Sequence, residues 1–110
     1  MTTYMLQFSY AADAVKGMVA KPQNRREAAE KVIAAAGGRL IDMYFCFGDY
    51  DGVATAEFPS NVDAAAASLA IGASGGFANV KTTVLITMDE SVKAMEKASE
   101  VSAAYVSPGS

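Results

Sequence analysis

Residues 39–58 read RLIDMYFCFGDYDGVATAEF. Two runs rich in β-branched and aromatic residues, RLIDMYFCF (39–47) and GVATAEF (52–58), flank a segment of glycines and aspartates. That is the pattern of two antiparallel strands joined by a hairpin. Gly48 and Gly52 bracket Asp49, Tyr50 and Asp51. Glycine permits positive φ and aspartate bonds nearby backbone amides, which suits a loop of about three to five residues. GDYDG offers too few oxygens for a calcium loop. The stretch is therefore read first as a structural turn, in preference to an acid/base pair.

The flanks complete the architecture. TYMLQFSY (3–10) alternates like a strand, and a helical region follows it, interrupted at Lys21-Pro22. Asn24 with Glu27 fits a capping box ahead of Ala29, Val32, Ile33 and Ala36 at helical spacing, and Gly37-Gly38 supplies the stop. After the hairpin, Ser60 and Asp63 form a plausible cap for a second helix ending near Gly75-Gly76. FANVKTTVLITM (77–88) reads as a fourth strand, and a helical tail covers 89–106. The order βαββαβ plus a C-terminal helix is the ferredoxin-like α+β arrangement, with a four-stranded antiparallel sheet. Residues 1–110 read as a single domain with its core in 3–88.

Strand residues alternate faces, so each strand divides into two lists. Leu6, Phe8, Ile41, Met43, Phe45, Phe47, Ala54, Ala56, Phe58, Val80, Val84 and Ile86 form a nearly apolar face for the helices to cover. The other face holds Met5, Gln7, Ser9, Asp42, Tyr44, Cys46, Val53, Thr55, Glu57, Asn79, Lys81, Thr83 and Leu85. It mixes charges with aliphatic and aromatic groups, and left bare it would be an unusually apolar surface. A second copy stacked over it resolves the conflict, with the polar members lining a closed cavity. The expectation is a homodimer, or a multiple of dimers, with facing sheets.

Composition narrows the function classes. The 110 residues carry a formal charge of −3, with 52% hydrophobic and 19% charged residues. That balance argues against a nucleic-acid partner, which calls for a basic stripe. No apolar tract is long enough for a transmembrane helix and no signal sequence is evident, so no membrane role and a cytoplasmic setting are expected. The lone Cys46 cannot form an internal disulfide. Without histidine the chain lacks the commonest metal ligand and neutral-pH proton shuttle. No metal and no cofactor are expected. GASGG (72–76) has no Walker lysine and follows no strand, so it is a helix stop and not a phosphate loop.

The candidate ligand-contacting residues are those of the amphipathic face: Gln7, Tyr44, Cys46, Thr55, Glu57, Lys81 and Thr83. Glu57 and Lys81 are its deepest ionisable groups, and if adjacent they form either a buried ion pair or a catalytic base beside an anion-stabilising cation. Tyr44 is read as lying opposite Thr55 or Glu57. Tyr44 and Asp42 are further catalytic candidates, although a tyrosine there serves equally as cavity wall. Cys46 reads as a small buried hydrophobe before a nucleophile, because no histidine activates it. Arg25 and Arg26 stand at a helix start, where a phosphate or carboxylate would be attracted. Ordinary surface charge paired with Glu27 and Glu30 accounts for them as well.

FGDYDGV, preceded by RREAAEKVIAAAGGRL and followed by IGASGGFANVKTTVLIT, resembles the GYD domain family of small bacterial and archaeal proteins. The family is named for the glycine-x-tyrosine-aspartate element, here Gly48, Tyr50 and Asp51. The resemblance spans roughly residues 3–88 and implies a ferredoxin-like fold of the dimeric α+β barrel type, with no settled biochemical function. Two readings follow: a small-molecule-binding homodimer with a cavity between facing sheets, or a cofactor-independent isomerase or monooxygenase-like enzyme acting on a small organic compound there.

Overall fold

A computed structural model describes residues 1–109, and Ser110 lies outside the described residues. Strands β1 (Thr2–Tyr10), β2 (Arg39–Phe45), β3 (Gly52–Phe58) and β4 (Phe77–Leu85) form one sheet in the order β2-β3-β1-β4, every neighbouring pair antiparallel. Helices α1 (Ala12–Ala20) and α2 (Arg26–Ala35) lie between β1 and β2. Helix α3 (Asn61–Ala73) lies between β3 and β4, and α4 (Met88–Val101) follows β4. The chain is therefore the ferredoxin-like α+β fold expected, with its first helical region broken in two by the Lys21-Pro22 stretch.

Alternation in β1 and β3 drives the assembly. Tyr4, Leu6, Phe8 and Tyr10 point to one face and are buried, as are Ala54, Ala56 and Phe58 beside them. Ile33 of α2 with Ala64 and Ala67 of α3 close this core from above. The alanines let the helices approach the sheet closely. Tyr4 is edge-on to Phe58, and its hydroxyl donates to Asn61 Oδ1 at 2.6 Å, which anchors the first turn of α3. Ser60 caps that helix by accepting from the Asp63 amide, as the sequence suggests. Gly52 is required by close approach, since a Cβ there would lie 2.3 Å from the Phe8 ring.

Several expectations need correction. Asn24 does not form a capping box with Glu27; its Oδ1 accepts from the Arg26 amide, and Arg25 occupies the cap position of α2. The β2–β3 register shifts between Leu40 and Asp42, leaving Ile41 as the extra residue of a bulge. Leu40, not Ile41, faces the core with Met43. Strand β2 ends at Phe45, so Phe47 sits in the loop at 95% exposure, and Phe45 on the edge strand is 73% exposed. Val84 and Ile86, assigned to the covered face, are also largely exposed, and β4 stops at Leu85.

Helix α4 begins with a complete capping box, Thr87 accepting from the Glu90 amide and Glu90 from the Thr87 amide. None of its residues is buried. It extends away from the two-layer core, and the radius of gyration is accordingly 17.8 Å, against about 13 Å for a compact chain of this length.

Candidate functional site

The face of the sheet away from α2 and α3 carries no helix of its own chain, and the strand register lays its side chains out in rows. From β2 to β4, one row is Arg39, Glu57, Thr3 and Leu85. The next is Asp42, Thr55, Met5 and Thr83; the third is Tyr44, Val53, Gln7 and Lys81. Met5, Val53 and Leu85 are half-buried, while the Tyr44 ring is 64% exposed. The centre of the face is thus uncharged, Met5 and Val53 beside Thr55 and Gln7, with its charges displaced toward the edge strands and one end.

The structure brings Asp42 beside Thr55 and Gln7 beside Lys81. It does not bring Glu57 to Lys81. Their rows lie four residues apart along β1 and their strands two places apart, a separation on the order of 16 Å from strand spacing and rise. The partner of Glu57 is Arg39, its cross-strand neighbour, whose guanidinium bonds Glu57 Oε1. Parity counting hid Arg39 because the bulge at Ile41 reverses the facing of everything before it. Tyr44 lies opposite Val53 instead of Thr55 or Glu57. Cys46 sits past the end of β2, across the sheet from Lys81 on β4, and its Sγ donates to the Tyr50 carbonyl at 3.2 Å.

Residues 46–51 form a loop fastened to the end of β1. Gly48 adopts φ +133°, a conformation that favours glycine. The Cys46 amide donates to the Asp51 carbonyl at 2.7 Å, and the Asp51 amide to the Phe8 carbonyl at 2.8 Å. Ser9 Oγ donates to the Asp49 carbonyl at 3.0 Å. The pairing of β1 with β4 slips between Ser9 and Tyr10, and there the Asp51 carboxylate accepts the Tyr10 amide at 2.9 Å. Glycine and aspartate of the GDYD element thus hold hairpin and first strand in register. Asp51→Ala should destabilise the fold by about 1–2 kcal/mol, the lower range for a hydrogen bond to a charged group at a part-buried site. Urea unfolding reads this out. Unchanged stability would remove the carboxylate from the account.

Besides a cleft of about 600 Å³ along α3 and β4, two adjoining cavities lie on the helix side of the sheet. One, of about 550 Å³, opens between α1, the 21–25 connection and the hairpin end of β2 and β3; Phe8, Met18 and Met43 are among its walls and Arg25 among its polar groups. A second, of about 230 Å³, runs under α2 and α3 and shares Phe8, Tyr10, Arg25 and Met43 with the first. Arg26 is engaged elsewhere, its Nε bonding Glu30 at 2.9 Å, and Glu27 pairs with Lys31.

Burial pushes the Tyr10 phenol above its ordinary value, opposed by the Arg25 guanidinium and aided by the Asp51 carboxylate. Below pH about 10 the phenol is neutral in folded and unfolded chains alike. Above that the unfolded chain releases its proton first, so stability falls as pH rises through the folded-state value. Tyr10→Phe should therefore flatten the alkaline decline of the melting temperature. An identical decline in both proteins would contradict this assignment.

No helix among the described residues is long and apolar enough to cross a membrane. No curated protein sequence matches the chain. Solved structures do. A hypothetical protein of Pyrococcus horikoshii, PHS023, is 22% identical with TM-score 0.53, covering 79% of this chain and 92% of its own. TTHA0845 of Thermus thermophilus is 17% identical with TM-score 0.53, covering 79% and 95%. FFRP-DM1 is 16% identical with TM-score 0.50, covering 78% and 100%. At these identities the likeness speaks for the fold alone. The sequence itself matches the GYD domain over residues 4–95, a span that takes in all but the first two residues of the four strands, the fastened loop and the start of α4, and the chain belongs to the GYD domain family.

Proposed function

We propose that this protein is a small-molecule-binding homodimer in which two copies appose their open sheet faces. The observation that carries this reading is the layout of that face. Its middle strands, β3 and β1, present Val53, Thr55, Met5 and Gln7, while the charged groups Asp42 and Lys81 lie on the edge strands β2 and β4. Stacked sheets sit about 10 Å apart with interdigitating side chains. Apposition would remove Met5, Val53, Leu85 and Tyr44 from water, and leave Gln7, Thr55, Thr83 and Lys81 to line a polar space for a ligand.

Binding is favoured over catalysis because Glu57 and Lys81, the base and the anion-stabilising cation singled out by the sequence, stand apart within one subunit and Glu57 is already paired with Arg39. The test is native mass spectrometry of protein purified from its own host without stripping small molecules. A dimer carrying the mass of a small organic compound is expected, and Glu57→Gln with Lys81→Met should leave the dimer intact. A monomer would overturn the reading. Turnover of the recovered compound by the native protein, lost in the double variant, would decide for the enzyme instead.

A further inference from the structure

The site proposed above uses the open sheet face, but a cavity beside α1 lies on the other side of the sheet and has its own chemistry. Its walls are apolar, with Phe8, Val15, Met18 and Met43 around a space of about 550 Å³. Its charged groups are Arg25, Arg26 and Asp51, and two of the three are already engaged. The Asp51 carboxylate holds the Tyr10 amide. Arg26 is held by Glu30 and also reaches the Ile41 carbonyl. Arg25 differs: its side-chain hydrogen bond is to the neutral Gln23 Oε1 at 3.0 Å, and it lies near the Tyr10 phenol, which the Asp51 carboxylate also faces. Among the described residues no carboxylate lies within ion-pairing distance of it. An unneutralised guanidinium beside an apolar cavity is a receptor for an anion with an apolar body.

We propose that this cavity binds a small monocarboxylate, its carboxylate on Arg25 and its aromatic or short aliphatic body against Phe8, Met18 and Met43. A planar carboxylate matches the guanidinium fork. Asp51 on the same wall repels a phosphate dianion more strongly than a carboxylate monoanion. The adjoining space of about 230 Å³, lined by Ile33, Ile71 and Phe77, gives the apolar body room to extend under the helices. The site shares Tyr44 with the sheet-face reading but takes its charge and most of its walls from the helix side.

The test is an NMR titration of the full chain, carrying methyl-labelled methionine and 15N, with phenylacetate, its neutral amide phenylacetamide, and acetate. Phenylacetate should give saturable shifts at the Met18 and Met43 methyls and the Arg25 side chain. Phenylacetamide and acetate should each bind at least about tenfold more weakly, as loss of a charge-assisted bond or of the apolar contact requires. Arg25→Gln should weaken phenylacetate by about tenfold or more, with partial retention in Arg25→Lys. Met18→Trp, which fills the cavity without touching the charge, should also abolish binding. The proposal is overturned by absence of saturable shifts at millimolar phenylacetate, by equal affinity for the amide, or by an unchanged Arg25→Gln variant. Shifts confined to Gln7, Thr55 and Lys81 would likewise overturn it, and would assign the ligand to the sheet face.

Discussion

Phe58→Ala should lower the unfolding free energy by about 3–5 kcal/mol, the usual cost of truncating a buried aromatic residue. Phe58 is fully enclosed, its ring edge-on to Tyr4 with centroids 5.5 Å apart, in the cluster where β1, β3, α2 and α3 meet. The alanines around it, Ala56, Ala64 and Ala67, are short and cannot reach into the space it would vacate. The cavity therefore stays open, and its cost adds to the lost transfer energy. A domain of this size has a total stability of roughly 5–15 kcal/mol, so the variant should melt far below the parent in urea or heat. A loss below about 1 kcal/mol would mean that the helix layer is not packed on β3 in this way.

Val53→Asp should separate the subunits and leave each one folded. Val53 stands on the same strand as Phe58 but on the opposite face, between Tyr44 and Gln7 in the third row. Its side chain contributes nothing to the helix-side core, where Gly52 and Ala54 are its buried neighbours. In the apposed sheets an aspartate there is an unpaired buried charge, with Lys81 two strands away. Such a charge costs about 3–5 kcal/mol, a weakening of dimerisation by a hundredfold or more. Sedimentation velocity should show monomer at concentrations where the parent is dimeric, with an unchanged circular dichroism spectrum. A dimer of undiminished affinity would place the interface elsewhere. Even positions of β3 thus answer to the subunit's own core, and odd positions to the open face proposed as the dimer interface.

That division is legible in the sequence wherever alternation runs unbroken. The bounds of β3 at Gly52 and Phe58 and the facing of its residues follow directly from GVATAEF, which contains no irregularity. The start of β2 does not, since one extra residue at Ile41 exchanges the facing of Arg39 and Leu40, and no composition signal marks a bulge. Simple parity consequently hides the true partner of Glu57 and lends it to Lys81. Tyr4 and Tyr10 escape recognition as core residues because a hydroxyl makes a residue look amphipathic. In the fold the Tyr4 hydroxyl is satisfied by Asn61, and both rings pack against aromatic neighbours.

The GDYD turn is recognisable as structural, but the reason lies outside it. The amide that Asp51 satisfies belongs to Tyr10, 41 residues away, at a slip in strand pairing. Local sequence shows the turn-forming residues and not the remote donor they serve. The helix-side cavity is invisible for the same reason: Phe8, Met18, Arg25 and Met43 belong to four separate segments that only the tertiary fold brings together.

The proposed apposition of two sheets is tested at Met5, which lies near the middle of the open face between Thr55 and Thr83. With methyl-labelled methionine, a soluble gadolinium chelate broadens each methyl resonance according to its access to solvent. In the parent protein Met5 should be shielded as well as Met43, while Met88, 80% exposed at the start of α4, should broaden strongly. In Val53→Asp the Met5 signal should become accessible. A Met5 methyl that broadens in the parent protein as readily as Met88 would contradict the account, because the face would then be open to water.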